Sequence, residues 1–406
     1  MQPAAEAAET AARRSYGKLV AFLAARTGDV AGAQDALADA FAAALADWPS
    51  AGLPHNPEAW LLAVARRRLI DAARRRRTRG WALDHVRLLA EELGETMDDT
   101  AIPDHRLGLM FACAHPAIDP TVRAPLMLQT ILGFDAAAIA SAFLVAPATM
   151  GQRLVRAKAK IRQAGIPLRV PERAEMPERL DAVLAAIYAG FNGGWLDASR
   201  RALAEEALWL GRLVASLLPD EPEALGLLAL MLHAEARRSA RRDAQGAYVP
   251  LDEHDTAQWD KPMIEEAEAV LTRAGAMGVI GRYQLEAAVQ SAHAARRLTG
   301  RSDWLAIEQL YGALSAITDS PVVAINHAIA VAEAHGTDAG LLCLDELAID
   351  TRIANYQPYW AARAELLARS GRSAEADAAY ERAIGLDSDP ATRDFLRRRR
   401  LSVASR

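Results

Sequence analysis

Two cysteines, Cys113 and Cys343, are all that 406 residues contain, and they lie far apart in the chain. Such a pair supplies neither a disulfide framework nor a cysteine-based zinc site, so both read as core thiols in a reducing compartment. Aromatic residues make up only 6% while alanine is abundant, which suits closely packed helices better than sheets and predicts a fold that is nearly all α. No charge-free run is long enough to span a bilayer. The N-terminal MQPAAEAAETAARR also lacks a basic start followed by an apolar stretch. The expectation is a cytoplasmic protein with no membrane partner. No Walker-type phosphate loop occurs, since GFNGGW at 190–195 is a glycine turn without the required lysine, and no nucleophile motif is present. The chain therefore reads as a non-enzyme with no cofactor, and its length suits two or three domains.

The net charge of -5 conceals strong segregation along the chain. A first helical block covers residues 10–77, with Pro49, Gly52, Pro54 and Pro57 punctuating a loop and Asn56 with Pro57 marking a helix start. In the helix 59–77, Leu61, Ala65, Leu69 and Ala72 form an inner stripe, while Arg67, Arg68, Arg74 and Arg75 line up elsewhere. By itself such an arginine run reads as a solvated helix end, favoured by the helix dipole. Residues 78–104 gather Glu91, Glu92, Glu95, Asp98 and Asp99 and read as a partly flexible acidic linker.

The second block, 105–165, ends in a short apolar helix, a tight turn and a second helix with a basic outer face. Ile139, Ala140 and Phe143 recur on one side of the first helix, and Leu154, Ala157 and Ile161 on one side of the second. Arg153, Arg156, Lys158 and Lys160 are then expected to project outward, where guanidinium groups can meet guanine edges and either cation can neutralise phosphates. The plain alternative is a solvated amphipathic helix pair.

Pro167, Pro171 and Pro177 mark a boundary, beyond which residues 178–395 alternate helical patterns with short breaks. Within 357–390, Trp360, Ala376, Tyr380 and Ala383 fall at the large and small positions of a tetratricopeptide-like unit, and 320–347 follows a similar plan. The segment LDEHDTAQWD, 251–260, collects Asp252, Glu253, His254, Asp255 and Asp260 beside Trp259. Its spacing matches no defined metal site, so a polar loop ahead of a helix near Pro262 is the better reading. CAHP, 113–116, offers two zinc ligands where a structural site uses four, and reads as core.

The order of these motifs resembles the sigma-70 superfamily of RNA polymerase initiation factors, specifically its extracytoplasmic-function group. AQDALADAF, 33–41, is similar to the region 2.2 helix that docks on core polymerase, with Asp35, Asp39 and Phe41 in family-like places and Gln34 and Ala38 departing from the usual Glu and Gln. AWLLAVARRRLIDAARR is similar to regions 2.3 and 2.4, which implies contact with the melted -10 element by Trp60, Arg66, Arg67, Arg68, Arg74 and Arg75. The loop WPSAGLPHNP, 48–57, would then receive an unstacked base. GFDAAAIASAFLVAPATMGQRLVRAKAKI resembles region 4.2, the helix-turn-helix that reads the -35 element, and this implies DNA contact by Thr149, Gln152, Arg153, Arg156, Lys158 and Lys160. Leu144 replaces the common turn glycine, Gly151 an often basic or polar residue, and Pro125 stands in a helix that usually lacks proline. The long remainder resembles the tetratricopeptide-like extension of one subgroup, which implies control of the factor by its own C-terminal part.

The fold expected is therefore all-α. It comprises a region 2 domain at 10–77, the linker 78–104, a region 4 domain at 105–165 and a helical-repeat domain at 178–395. The function implied is promoter selection and melting with core RNA polymerase and promoter DNA as partners, and the C-terminal domain leaves room for a protein or small-molecule ligand. The alternative is a polymerase-independent helix-turn-helix regulator with a helical-repeat effector domain.

Overall fold

The computed structural model describes residues 2–77, 104–143, 145–172, 174–196, 201–387 and 389–404. The fold is all-α: no strand forms among these residues, and Arg242 and Tyr248 make an isolated antiparallel bridge. Apart from Asp104, the acidic segment 78–104 lies outside the described residues, as does Leu144. The chain divides into two compact units, Met1–Ala207 and Leu208–Arg406.

The first unit opens with three helices, α1 (Gln2–Thr27), α2 (Val30–Ala51) and α3 (Pro57–Arg77). Gly28 ends α1 in the left-handed region at φ 62, and the Asp29 carboxylate accepts from the Gly32 N–H at 3.0 Å to start α2. Asn56 caps α3, accepting at 3.1 Å from the Ala59 N–H, with Pro57 at the first helical position where its missing N–H costs nothing. Leu19, Phe22, Leu23, Leu37, Leu61, Leu62 and Ala65 fill the space between them and are fully or almost fully buried. Each large apolar side chain there contributes roughly 1.5–3 kcal/mol.

Four further helices follow: α4 (Arg106–Cys113), α5 (Pro120–Leu132), α6 (Ala136–Ala142) and α7 (Pro147–Gln163). Pro125 lies inside α5 and is buried. The carbonyl that loses its intrahelical partner is that of Thr121, an exposed residue in the first turn, so the break falls where α5 least needs the bond. Pro49 likewise sits inside the last turn of α2, so the loop read as 48–57 narrows to 52–56. Then α8 (Met176–Leu196) packs on α4 and α5, and the buried Arg179 donates to the Phe111 carbonyl at 2.8 Å.

The two blocks read from sequence as successive domains, 10–77 and 105–165, pack directly on one another within this unit through α1, α4 and α5. Contact is at backbone distance, because a Cβ placed on Gly17 of α1 would lie 2.1 Å from the Ile131 carbonyl oxygen of α5.

The helix α9 (Arg201–Leu217) carries the division between the units, and the second unit continues with α10 (Pro222–Ala236), α11 (Lys261–Gly275), α12 (Arg282–Ala294) and the short α13 (Arg296–Thr299). After these come α14 (Trp304–Ile317), α15 (Pro321–His335), α16 (Thr337–Leu347), α17 (Gln357–Arg369), α18 (Ser373–Leu386) and α19 (Pro390–Ala404). Successive helices pack in pairs: α10 on α11, α14 on α15, α15 on α16, α17 on α18 and α18 on α19. Ala364, Ala376, Ala379 and Ala383 are buried where α17 meets α18, letting the helices approach, and Tyr380 fills the gap beside them. Gly226 serves the same end between α10 and α12, since a Cβ there would stand 2.6 Å from the Gln284 nitrogen.

Candidate nucleic-acid and polymerase interface

On α2, Asp35 and Asp39 are exposed and Phe41 is half-buried. Asp39 is not free, because its carboxylate stands 3.8 Å from the Arg68 guanidinium of α3. Both side chains are more than half exposed, so the pair is worth at most about 1 kcal/mol and yields readily to a partner.

At the start of α3, Trp60 meets Trp48 edge-to-face at 5.5 Å and 66°. Trp48 is 3% exposed and its Nε1 has no hydrogen-bond partner, while Trp60 remains half-exposed beside the loop 52–56. Sequence reading picked Trp60 and missed Trp48, whose spacing from it spans a loop and follows no helical period. Arg67 and Arg68 are exposed along α3. Arg66 turns inward instead: its guanidinium lies 5.4 Å from the Phe22 ring, which Arg26 covers at 3.8 Å. Burial, then the neighbouring Arg26, lowers the Arg66 pKa, and its Nε is buried without a hydrogen-bond partner. The side chains of Arg74 and Arg75 lie outside the described residues, although α3 itself continues through Arg77.

Helices α6 and α7 are joined by the connection 143–146, and Asp135 caps the first by accepting from Ala138 N–H at 2.7 Å. Ile139 and Ala140 face Met150, Leu154, Ala157 and Ile161 as buried stripes, while Phe143 is only half-buried. Thr149, Gln152, Arg156 and Lys160 are exposed along α7.

Two cations expected to project outward do not. Arg153 is half-buried and lines a cleft of about 330 Å³ with Arg123, Phe143, Ala182 and Ala186. Lys158 turns toward α2, where its Nζ donates to Gln34 Oε1 at 2.8 Å. Burial lowers the Lys158 pKa, opposed by Asp35 and Asp29. Gln34 is itself 9% exposed and uses its Nε2 on the Tyr16 hydroxyl at 3.0 Å and the Gln129 carbonyl at 3.2 Å. One amide thus ties α1, α2, α5 and α7 together. A second link joins α7 to the cap of α2, Arg162 Nη1 to Asp29 Oδ2 at 3.3 Å. The sequence signal for this hub was the departure from Glu at position 34: a neutral amide can donate as well as accept, and a carboxylate cannot.

Elsewhere, His254 Nε2 lies 3.2 Å from the Val249 carbonyl, and Asp255 and Asp260 cap helices by accepting from Ala257 and Met263 N–H groups at 3.0 and 2.9 Å. Among the described residues, no group of three His, Cys, Asp or Glu is arranged to hold a metal ion. Cys113 is buried against Thr130 Oγ1 at 3.5 Å, and burial pushes its thiol up to about 12, so it is an inert thiol. No helix among the described residues is long and apolar enough to cross a membrane.

Two family models match the chain. Sigma-70 region 2 matches residues 12–79, the block built from α1 to α3, and implies binding to core RNA polymerase and promoter DNA. A family of unknown function, DUF6596, matches residues 179–275. An uncharacterized protein of Rhizobium meliloti (strain 1021) is 38% identical over 376 residues, covering 90% of this chain and 88% of the relative. No solved structure matches. Identity over nearly the whole length, with a region 2 at the front, places the chain in one family with the Rhizobium meliloti protein and makes it a sigma-70 family member.

Proposed function

We propose that the chain is a sigma factor of the extracytoplasmic-function kind, which directs core RNA polymerase to specific promoters and helps open them under the control of its own C-terminal extension. The observation that carries this reading is the region 2 match over 12–79 on a helical block whose exposed face presents Asp35 and Asp39. The same block offers Trp60, Arg67 and Arg68 beside a short loop. The reading involves no covalent chemistry. Binding energy from phosphate and base contacts stabilises melted DNA, with the half-exposed Trp60, backed by the buried Trp48, giving a stacking surface for an unpaired base. The -35 element falls to α6 and α7 as a helix-turn-helix, with Thr149, Gln152, Arg156 and Lys160 already exposed and Arg153 at a cleft edge.

On this reading the Gln34 to Lys158 bond belongs to a resting arrangement. Lys158 reaches a phosphate only after leaving Gln34, and that exchange couples the polymerase-docking helix to the DNA-reading helix. The test is a titration of labelled full-length protein with core RNA polymerase. Saturable binding that weakens when Asp35 and Asp39 are both changed to Arg supports the proposal. Binding that is absent, or indifferent to both changes, removes it.

A further inference from the structure

The second unit holds a cleft of about 790 Å³ that the proposed function does not use. Its volume lies in the range of small-molecule sites. The loop 248–259 and helices α12, α13, α14, α15, α17, α18 and α19 surround it, and Trp259, Gln290, His293 and Tyr311 are among the residues that line it.

Against Gln290 and Trp259 lies Arg237, 5% exposed. Its Nη2 donates to Gln290 Oε1 and its guanidinium carbon stands 5.8 Å from the Trp259 ring. Its Nη1 is buried with no hydrogen-bond partner among the described residues. Arg296 covers Trp259 as well, at 5.3 Å, and donates to the backbone carbonyls of Asp252 and His254 at 2.8 and 3.1 Å. Among the described residues, the hydrogen-bond acceptors of these two arginines are an amide and two backbone carbonyls, not carboxylates. The imidazoles nearby carry no charge at neutral pH, because burial and then these arginines push His293 down to about 3, and burial with the same arginines holds His254 near 4.

Two of the four carboxylates that line the cleft are committed elsewhere. Glu333 pairs with Arg369 on the opposite wall, and Glu365 takes Arg399 at 2.7 Å and the Tyr380 hydroxyl at 2.8 Å. Asp252 and Glu253 are exposed. A buried cation without a counter-charge is costly, and a bound anion is what removes the cost. Ile329, Leu366 and Phe395 add apolar surface to the lining, which a bare inorganic ion would leave unused.

We propose that this cleft binds a small organic acid, its carboxylate held at Arg296 and Gln290 in the field of Arg237 and its apolar body against Ile329, Leu366 and Phe395. The site stands whether or not the chain works with polymerase, since its test reads binding alone.

Full-length protein is titrated with benzoate, 3-phenylpropionate and hexanoate, each beside its own amide, and with inorganic phosphate. Tryptophan fluorescence and melting temperature are followed together. At least one acid is expected to bind saturably and raise the melting temperature, with its amide weaker by about tenfold or more, the worth of a charge-assisted contact. Arg296→Met should weaken the same acid by a similar factor. Trp259→Phe should remove the fluorescence change while the melting shift remains. Arg237→Met tests the buried charge, and if that variant does not fold, Arg296→Met at the cleft wall carries the test. Acids and amides that bind alike, no saturable acid, or phosphate binding without any organic acid would each overturn the proposal.

Discussion

Lys158 Nζ donates to Gln34 Oε1 at 2.8 Å, across 124 residues of chain, and so joins α2, within the region 2 match, to α7, the second helix of the pair that resembles a DNA reader. Gln34 holds that position because its amide also donates to Tyr16 and to the Gln129 carbonyl. Gln34→Ala removes the acceptor of a half-buried lysine and the amide donor to the Tyr16 hydroxyl, while the Gln129 carbonyl keeps the Gly133 N–H. The expected loss is about 1–3 kcal/mol of stability in the first unit, checked by urea denaturation. Duplex DNA binding should rise at the same time, because Lys158 no longer has a protein acceptor to leave.

Gly17 sets how closely α1 meets α5. A Cβ there would lie 2.1 Å from the Ile131 carbonyl oxygen, and backbone cannot move aside as a side chain can. Gly17→Ala should cost at least about 1–3 kcal/mol, the usual range for overpacking. Limited proteolysis should then cut between the blocks 10–77 and 105–165 faster than in the parent chain.

Arg156 and Lys160 are exposed on α7, whereas Lys158 is engaged with Gln34. Arg156→Ala should lower the slope of log affinity against log salt on -35 duplex DNA by about 0.9, one phosphate's worth. In the Gln34→Ala background, removing Lys158 should lower it by a similar amount. Fluorescence anisotropy at several salt concentrations reads both.

Acid should destabilise the second unit well before carboxylates titrate. His233 and His293 are held neutral by burial, each pushed down to about 3 from an ordinary value of 6.5. The unfolded chain therefore binds protons that the folded chain refuses, and stability is full above about pH 6.5 and falls as pH drops toward 3. Each histidine contributes up to about 1.4 kcal/mol per pH unit in that window. His233 Nε2 lies 3.5 Å from Glu268, but with its imidazole neutral this is no ion pair at physiological pH. Melting temperatures between pH 7 and 4 check the slope, and His233→Gln should flatten part of it.

Local periodicity made much of this fold legible. Leu61, Ala65 and Leu69 on α3, and Leu154, Ala157 and Ile161 on α7, are buried as their spacing demands, and Asn56 with Pro57 starts α3 as read. Pro49 misled, because it lies inside the last turn of a helix rather than in the loop, whereas Pro125 lies in a helix as read. The candidate site was legible as a set of cations but not as directions. Lys158, Arg153 and Arg66 are turned by Gln34, by the cleft beside α8 and by Phe22, partners far away in sequence that leave no period to read. Nor did any pattern announce the buried Arg237, since charge without a partner becomes visible only once the fold shows what surrounds it.

The central claim is that this chain gives core RNA polymerase a promoter. Run-off transcription on DNA carrying the chain's own upstream region, with purified core polymerase and the full-length protein, tests it most directly. A discrete transcript is expected that appears only when the protein is added and that is lost with Asp35 and Asp39 both changed to Arg. Tight duplex binding without polymerase, and no transcript with it, would contradict the account and favour a regulator that acts on DNA alone.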